Sequence, residues 1–293
     1  MKYHSQFWRI SLYAVVWISL LSACTEQIPI PGLNDQFNQL VVEANFTNEN
    51  RIQAIYLSRS VSLANGSFPK ETGATIYITD SKNNRIDFQE SQPGVYLTSA
   101  NTNGNIAETY TLHIVTADGN IYESSPEQMP KAPPLIKNTE LTREVDITGE
   151  NGPPGSVLVT VEMIFDDPAG EMNYYRWVWR SNEQNQFGLP DTTWRTLVAN
   201  DVLFDGNEAS ITLDQTFNPD FDGFVKVYQT AINAAAYDFL LTIQNQVDSG
   251  LQAFLPPGPP IEGNIVNKNN SSEKVLGYFV VAGVTSDTIR IDP

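Results

Sequence analysis

Cysteine is almost missing from this chain: its 293 residues include one, together with only two histidines. A single thiol excludes an intramolecular disulfide and every multi-cysteine zinc site. So few imidazoles leave little for histidine-based catalysis. Charge is also scarce, at 17% of residues against about 25% in ordinary soluble domains. Basic side chains are the minority, 17 against 34 acidic, giving a net charge of −17. A nucleic-acid partner needs a clustered basic footprint, and no Lys/Arg cluster supplies one. What is present is enough to fold: 41% of the residues are apolar, punctuated by 18 Gly and 18 Pro. The length suits two domains or one large one.

The amino terminus carries the sharpest pattern. Lys2 and Arg9 are followed by the apolar run Ile10–Leu21 and then Leu21-Ser22-Ala23-Cys24. A basic start, a short apolar stretch and small residues describe a secretory signal. A membrane-spanning helix needs about 20 apolar residues, and the polar Thr25-Glu26-Gln27 arrives too soon. Leu21-Ser22-Ala23-Cys24 closely resembles the bacterial lipobox. That resemblance implies cleavage between Ala23 and Cys24, a lipid thioether on Cys24, and acylation (palmitate) of the new amino terminus. The chemistry is coherent because a cysteine thiolate is the nucleophile such a transfer requires.

Without residues 1–23 the chain keeps 15 basic and 34 acidic side chains. Anionic lipid repels such a body, so the acyl chains must anchor it. Residues 24–38 read as a lipidated tether, with Pro29 and Pro31 favouring extended backbone and a reach of at most about 46 Å. Thr25 is not the aspartate that commonly retains lipoproteins in the inner membrane. The expected location is the outer membrane, on either its periplasmic or its cell-surface side.

From Gln39 the apolar residues alternate, and the expected fold is mainly β with two β-sandwich-like domains. The first, 39–125, is immunoglobulin- or transthyretin-like. Its strands are expected at 40–46, 51–59, 75–80, 85–89, 94–98, 109–116 and 120–123, with a hairpin turn at Asp118-Gly119. Residues 126–134 form a Pro-rich linker, since prolines interrupt a sheet ladder. The second domain, 135–293, has a strand at 157–165 and a returning strand at 174–180. More strands are expected at 209–213, 224–230, 261–266, 274–283 and 288–291. An amphipathic helix at 234–249 should lie on the sheet through Ala236, Phe239, Leu240, Ile243 and Val247, capped by Asn233.

Candidate sites are few. His113 lies on the strand face opposite Tyr110, Leu112 and Ile114, and no Gly-x-Ser-x-Gly elbow offers it a nucleophile. It reads as a half-exposed strand histidine. Asp166, Asp167, Asp220 and Asp222 sit in acidic turns that could hold Ca²⁺. Position 12 counted from Asp220 is Ala231 rather than a bidentate glutamate, and ordinary turn chemistry is the favoured reading. No metal or other cofactor is expected. Tyr175, Trp177 and Trp179 share a strand face, with Trp194 nearby, and could form a ligand or partner surface. Aromatics beside so apolar a strand are more often core. Arg176 and Arg180, on the opposite face, are expected to pair with acids. Paired carboxylates for hydrolysis arise by chance among 34 acids. Asp191-Thr192-Thr193 and Asp287-Thr288-Ile289 are weak O-glycosylation matches.

A set of short segments, in order, resembles the Bacteroidota lipoproteins grouped as the domain of unknown function numbered 4249. They include Leu40-Val41-Val42-Glu43, Gly94-Val95-Tyr96, Asn173-Tyr174-Tyr175-Arg176-Trp177, Gly263-Asn264-Ile265 and Leu276-Gly277-Tyr278-Phe279. Cysteines that many relatives carry near Thr193-Trp194 are absent here. The resemblance implies an outer-membrane setting, often beside a TonB-dependent transporter, and brings no catalytic residues. The expectation is a non-enzymatic accessory or binding subunit of an uptake system. It would be held to the membrane by its lipid, with a small-molecule or glycan ligand unnamed. The alternatives are a carbohydrate-binding module using the aromatic face and a carboxylate-based hydrolase.

Overall fold

The computed structural model describes residues 38–61, 68–149, 154–182, 195–217, 223–250 and 261–291. The signal segment 1–23 and the tether up to Phe37 lie outside them. The first alternating segments form β1 (Leu40–Thr47), β2 (Ala54–Arg59), β3 (Thr75–Asp80), β4 (Arg85–Gln92), β5 (Val95–Leu97), β6 (Thr109–Val115) and β7 (Ile121–Ser124). Each turns alternate side chains inward. Leu40, Val42, Ala44 and Phe46 of β1 meet Ile76 and Ile78 of β3 and Tyr110, Leu112 and Ile114 of β6 in one core. Strand β4 is the corner of this sandwich. Its first half pairs with β3, from Arg85 to Phe88, and its second half with β5, from Gln89 to Gln92. The register shifts between Glu90 and Gln92, an irregularity that bends a strand from one layer into the next. At the β6–β7 turn, Asp118 Oδ1 accepts from Thr116 Oγ1 at 2.5 Å, and Gly119 N–H donates to Thr116 O at 2.9 Å.

The Pro-rich segment is not wholly outside the sheet, because β8 (Glu127–Gln128) pairs with β6. Then come β9 (Asn138–Asp146), β10 (Ser156–Asp166), β11 (Tyr174–Ser181), β12 (Arg195–Asn200), β13 (Glu208–Phe217) and β14 (Gly223–Ile232). The chain continues with α1 (Ala234–Gly250), β15 (Ile265–Asn267) and β16 (Leu276–Ile291). Strands β13, β10 and β9 form a separate three-stranded sheet. Its inner side chains Val159, Val161, Met163 and Phe165 bury a second core against Tyr175, Trp177 and Trp179 of β11 and Val225 and Val227 of β14. The sequence reading placed no strand at β9 or β12. Strand β9 is a largely exposed edge rich in Thr and Glu, with no apolar alternation to reveal it.

Strand β16 joins the two regions. Read from sequence as two strands, it is one of 16 residues. Leu276–Ala282 pair parallel with β1, and Gly283–Ile291 pair antiparallel with β14. The larger sheet is therefore a single hydrogen-bonded path running from β12 through β16 and β1 to β15, and residues 38–293 form one compact unit. Phe279 and Val281 of β16 enter the first core, with Ile265 and Val275, while Ile289 enters the second. Residues after the linker thus complete the core of 39–125.

The helix is where the sequence places it. Asn233 Oδ1 accepts the Ala236 N–H at 2.7 Å, satisfying one of the free donors of the first turn. Ala236, Tyr237, Phe239 and Leu240 cover Ile232, Tyr278 and Val280 on the outer face of the large sheet. The contact does not extend to Val247, which is exposed. Beside the cap, the buried Glu127 accepts at Oε1 from Asn264 Nδ2 (2.8 Å), Ser125 Oγ (3.1 Å) and Tyr278 OH (3.2 Å). Its Oε2 accepts from Asn233 Nδ2. One carboxylate ties the linker to the helix start, the approach to β15 and β16.

Candidate functional site

Strand alternation that buries Tyr175, Trp177 and Trp179 turns Tyr174, Arg176 and Val178 to the opposite face. There, next to the helix, outward side chains of β1, β2, β11, β14 and β16 line a groove of about 380 Å³. Its walls mix charge and rings: Glu43, Arg51, Tyr56, Arg176 and Tyr228 among apolar residues such as Val280. Arg176 is a desolvated charge within it. Burial pushes the guanidinium below its ordinary pKa, offset in part by Glu43. Its hydrogen bonds among the described residues go to neutral partners, Nε to Thr196 Oγ1 at 3.1 Å and Nη1 to Asn45 Oδ1 at 3.4 Å. The expected pairing of Arg176 with an acid is not among the ion pairs of the described residues. A groove holding a cation on neutral hydrogen-bond partners, with tyrosines alongside, can receive a small polar ligand through charge and ring contact together.

The aromatic face is not a surface. Tyr175, Trp177 and Trp179 are 1%, 0% and 7% exposed, and Phe165 approaches both the Tyr175 and Trp177 rings. The three side chains point between the sheets, where β10 supplies apolar partners. They cannot stack on a sugar, and the core reading prevails over the ligand or partner surface. Trp194 lies outside the described residues, as do Ala23, Cys24, Asp220 and Asp222.

A second constellation sits at the end of the second sandwich, where the turn after β10 meets the turn between β12 and β13. Asp167, Asp201 and Asp205 each bring a carboxylate oxygen within 4.8 Å of the others. The fold holds them by short local bonds. Tyr175 OH donates to Asp167 Oδ1 at 2.6 Å, and Gly206 N–H donates to Oδ2 at 3.1 Å. Asn173 donates to Asp201 Oδ2 from its backbone N–H at 2.7 Å and from Nδ2 at 3.0 Å. Gly170 N–H donates to Asp205 Oδ1 at 2.9 Å. Burial and the adjoining Asp167 hold the Tyr175 phenol far above its ordinary pKa, so it stays protonated and donates. Of the two acidic-turn candidates that are described, Asp167 belongs here. Asp166 instead pairs with Lys137 at 2.6 Å. Asp201 and Asp205 were missed in the sequence because no spacing rule joins them to Asp167. Only the meeting of two turns does.

His113 also has partners that sequence reasoning missed. Its Nε2 lies 2.9 Å from Thr79 Oγ1 and its Nδ1 3.4 Å from Glu123 Oε2, with Tyr77 stacked at 4.7 Å. All four sit side by side on β3, β6 and β7. The connectivity resembles a nucleophile–base–acid relay, but Thr79, next to last in β3, is paired with Arg85 on one side and Thr111 on the other. Its neighbouring backbone N–H groups are therefore committed to the ladder and cannot form an oxyanion hole. Lys268 also engages Glu123, at 3.1 Å. Burial moves the imidazole below its ordinary pKa despite Glu123, in keeping with a neutral, hydrogen-bonded strand histidine.

A model of the family described as Domain of unknown function (DUF4249) matches residues 26–288. The chain belongs to that family. The DUF4249 match spans both sandwiches, the helix and most of β16. No curated protein matches this DUF4249 chain. Among solved structures it is similar to a DUF4785 family protein from Legionella pneumophila subsp. pneumophila str. Philadelphia 1, at 11% identity and a TM-score of 0.22. That likeness covers 66% of this chain and 51% of the other, about half its length. It is also similar to a biofilm associated protein B domain, at 7% identity and a TM-score of 0.20, over 88% and 87% of the two chains. Superpositions this loose carry no argument. Among the described residues of this DUF4249 protein, no helix is long and apolar enough to cross a membrane.

Proposed function

We propose that the chain is a lipid-anchored, non-enzymatic binding component of a bacterial outer membrane that works beside a TonB-dependent transporter. The observation that carries this reading is the sole cysteine, Cys24, standing directly after Leu21-Ser22-Ala23 at the end of a signal-like segment. A lipid anchor gives a docking subunit a high local concentration at its membrane partner. The groove beside the helix supports the binding half of the proposal, since it offers a concave mixed surface on a rigid sheet. The carbohydrate reading loses its platform with Trp177 and Trp179 in the core. The hydrolase reading gains little from Asp167 and Asp201, because Asp201 is fully enclosed and a substrate carbonyl or acetal cannot reach it.

Two measurements test the proposal. Cys24→Ser should abolish incorporation of labelled fatty acid and release the protein from membranes, with its circular dichroism unchanged. Label retained in the mutant would refute the anchor. Cross-linking in native membranes, followed by mass spectrometry, should recover a β-barrel transporter. Recovery of the lipoprotein alone, under conditions that preserve known transporter pairs, would refute the partnership.

A further inference from the structure

We propose that Asp167, Asp201 and Asp205 form a calcium site that clamps together the two turns at the end of the second sandwich. Two observations carry it independently. The first is geometric: oxygens bound to one Ca²⁺ at about 2.4 Å lie no more than about 4.8 Å apart, and the three carboxylates meet that limit. The second is an unmet need. Asp201 is 0% exposed, and its Oδ1 is enclosed without any hydrogen-bond partner. A buried carboxylate oxygen with no donor is strongly disfavoured, and a bound cation is one way to compensate it.

The surroundings agree. Among the described residues, no Lys, Arg or His pairs with any of the three acids. The nearby Lys137 is engaged instead by Asp166 and Glu208. Three like charges this close repel one another, and a divalent cation reverses the sign of that interaction. The oxygens that accept from Tyr175, Asn173, Gly170 and Gly206 keep lone pairs for a metal, because an ionised carboxylate has about four acceptor positions. Those hydrogen bonds orient the ligands before an ion arrives. An all-oxygen, carboxylate-rich set suits a hard cation. Calcium takes such protein cages, whereas magnesium usually keeps several waters and one or two carboxylates. The ion would bridge the β10-side turn, which leaves one sheet, to the 201–207 turn, which leaves the other. Its role is to fix the relative position of the two sheets at this end. This site is separate from the groove and does not depend on the lipid anchor.

The test uses the full mature protein in detergent, stripped with EDTA and titrated calorimetrically with CaCl₂. One saturable site with a Kd between about 10⁻⁵ and 10⁻³ M is expected, with Tm rising as calcium is added. Asp205→Asn, a substitution at an exposed position, should weaken binding at least tenfold without unfolding the protein. Asp201→Asn should show a crossover: Tm equal to or above wild type in EDTA, where repulsion is relieved, and below wild type in calcium. A merely structural aspartate would lower Tm in both buffers, so that result would overturn the proposal. Leu203→Ala, on the same turn but 94% exposed, should bind calcium as wild type does. Absence of saturable heat up to about 10 mM CaCl₂, or unchanged affinity in folded Asp205→Asn, would overturn the site. Preferential Mg²⁺ binding lost in the same variants would overturn the choice of ion.

Discussion

Gly277 offers the most direct test of how the two regions are joined. It opens β16 with φ +95°, and a Cβ added there would stand 1.9 Å from the carbonyl oxygen of Val42, its partner on β1. Two costs therefore add in Gly277→Ala. A side chain at such a φ costs on the order of 1–3 kcal/mol. Clearing the contact to ordinary distance forces β1 and β16 apart by more than an ångström, with an overpacking cost of about 1–3 kcal/mol. The total, about 2–6 kcal/mol, is a large part of the 5–15 kcal/mol that stabilises ordinary domains. Gly119 provides the control. Its φ is +89°, but nothing lies within 4 Å of an added Cβ, so Gly119→Ala bears only the backbone cost. Urea unfolding of both variants should show Gly277→Ala the more destabilised by about 1–3 kcal/mol, the overpacking cost. Equal losses in the two variants would refute the close approach of β1 and β16.

Other outcomes follow from single side chains. Trp177→Ala should cost about 3–5 kcal/mol in the same unfolding experiment. Trp177→Phe should cost under about 1.5 kcal/mol, because it also removes an enclosed indole N–H that has no acceptor. A large loss in the phenylalanine variant would show a missed partner. Asn233→Ala should cost about 1 kcal/mol through the lost cap and about 1.5–3 kcal/mol more through the lost bond to the buried Glu127, read as reduced helical signal and stability; no change would discount both contacts. His113, depressed by burial, should titrate by NMR with a midpoint below the usual value of about 6.5. Since the unfolded chain then binds the proton more readily, this group's stabilisation is fully present above the unfolded value of about 6.5 and is lost as pH falls from there through the lower folded midpoint. A midpoint above 6.5 would contradict the burial argument.

The parts legible in the sequence are those in which one strand or one helix decides the outcome. Alternation located the inner faces of β1, β3, β6 and β10, and the 3.6-residue period with Asn233 located α1. It also put Tyr175, Trp177 and Trp179 on one face, although only the opposing β10 decides that this face is buried. What stayed hidden depends on pairs of distant segments. Strand β9 has too little apolar content to announce itself. The middle of β16, Gly283-Val284-Thr285-Ser286-Asp287, is punctuated like a turn yet remains extended because β14 pairs with it throughout. Asp167 was visible as an acidic turn residue. Its association with Asp201 and Asp205 was not, because it arises from two turns meeting, and the partners of His113 come from strands β3 and β7 in the same way.

The position of β16 sets the order in which the molecule can assemble. A ribosome or a translocation pore delivers β1 first and its parallel neighbour last, with more than two hundred residues between the paired segments. Closing so long a loop is entropically expensive and slow. Until β16 arrives, β1 has one side of its backbone without its partner, and the first core lacks Phe279 and Val281. The amino-terminal half therefore cannot lock into its final state while the remainder is still being delivered. On the proposed route across a membrane, this delay would be useful: the strand that completes the first core follows its β1 partner by more than two hundred residues, so folding would be postponed until β16 has passed.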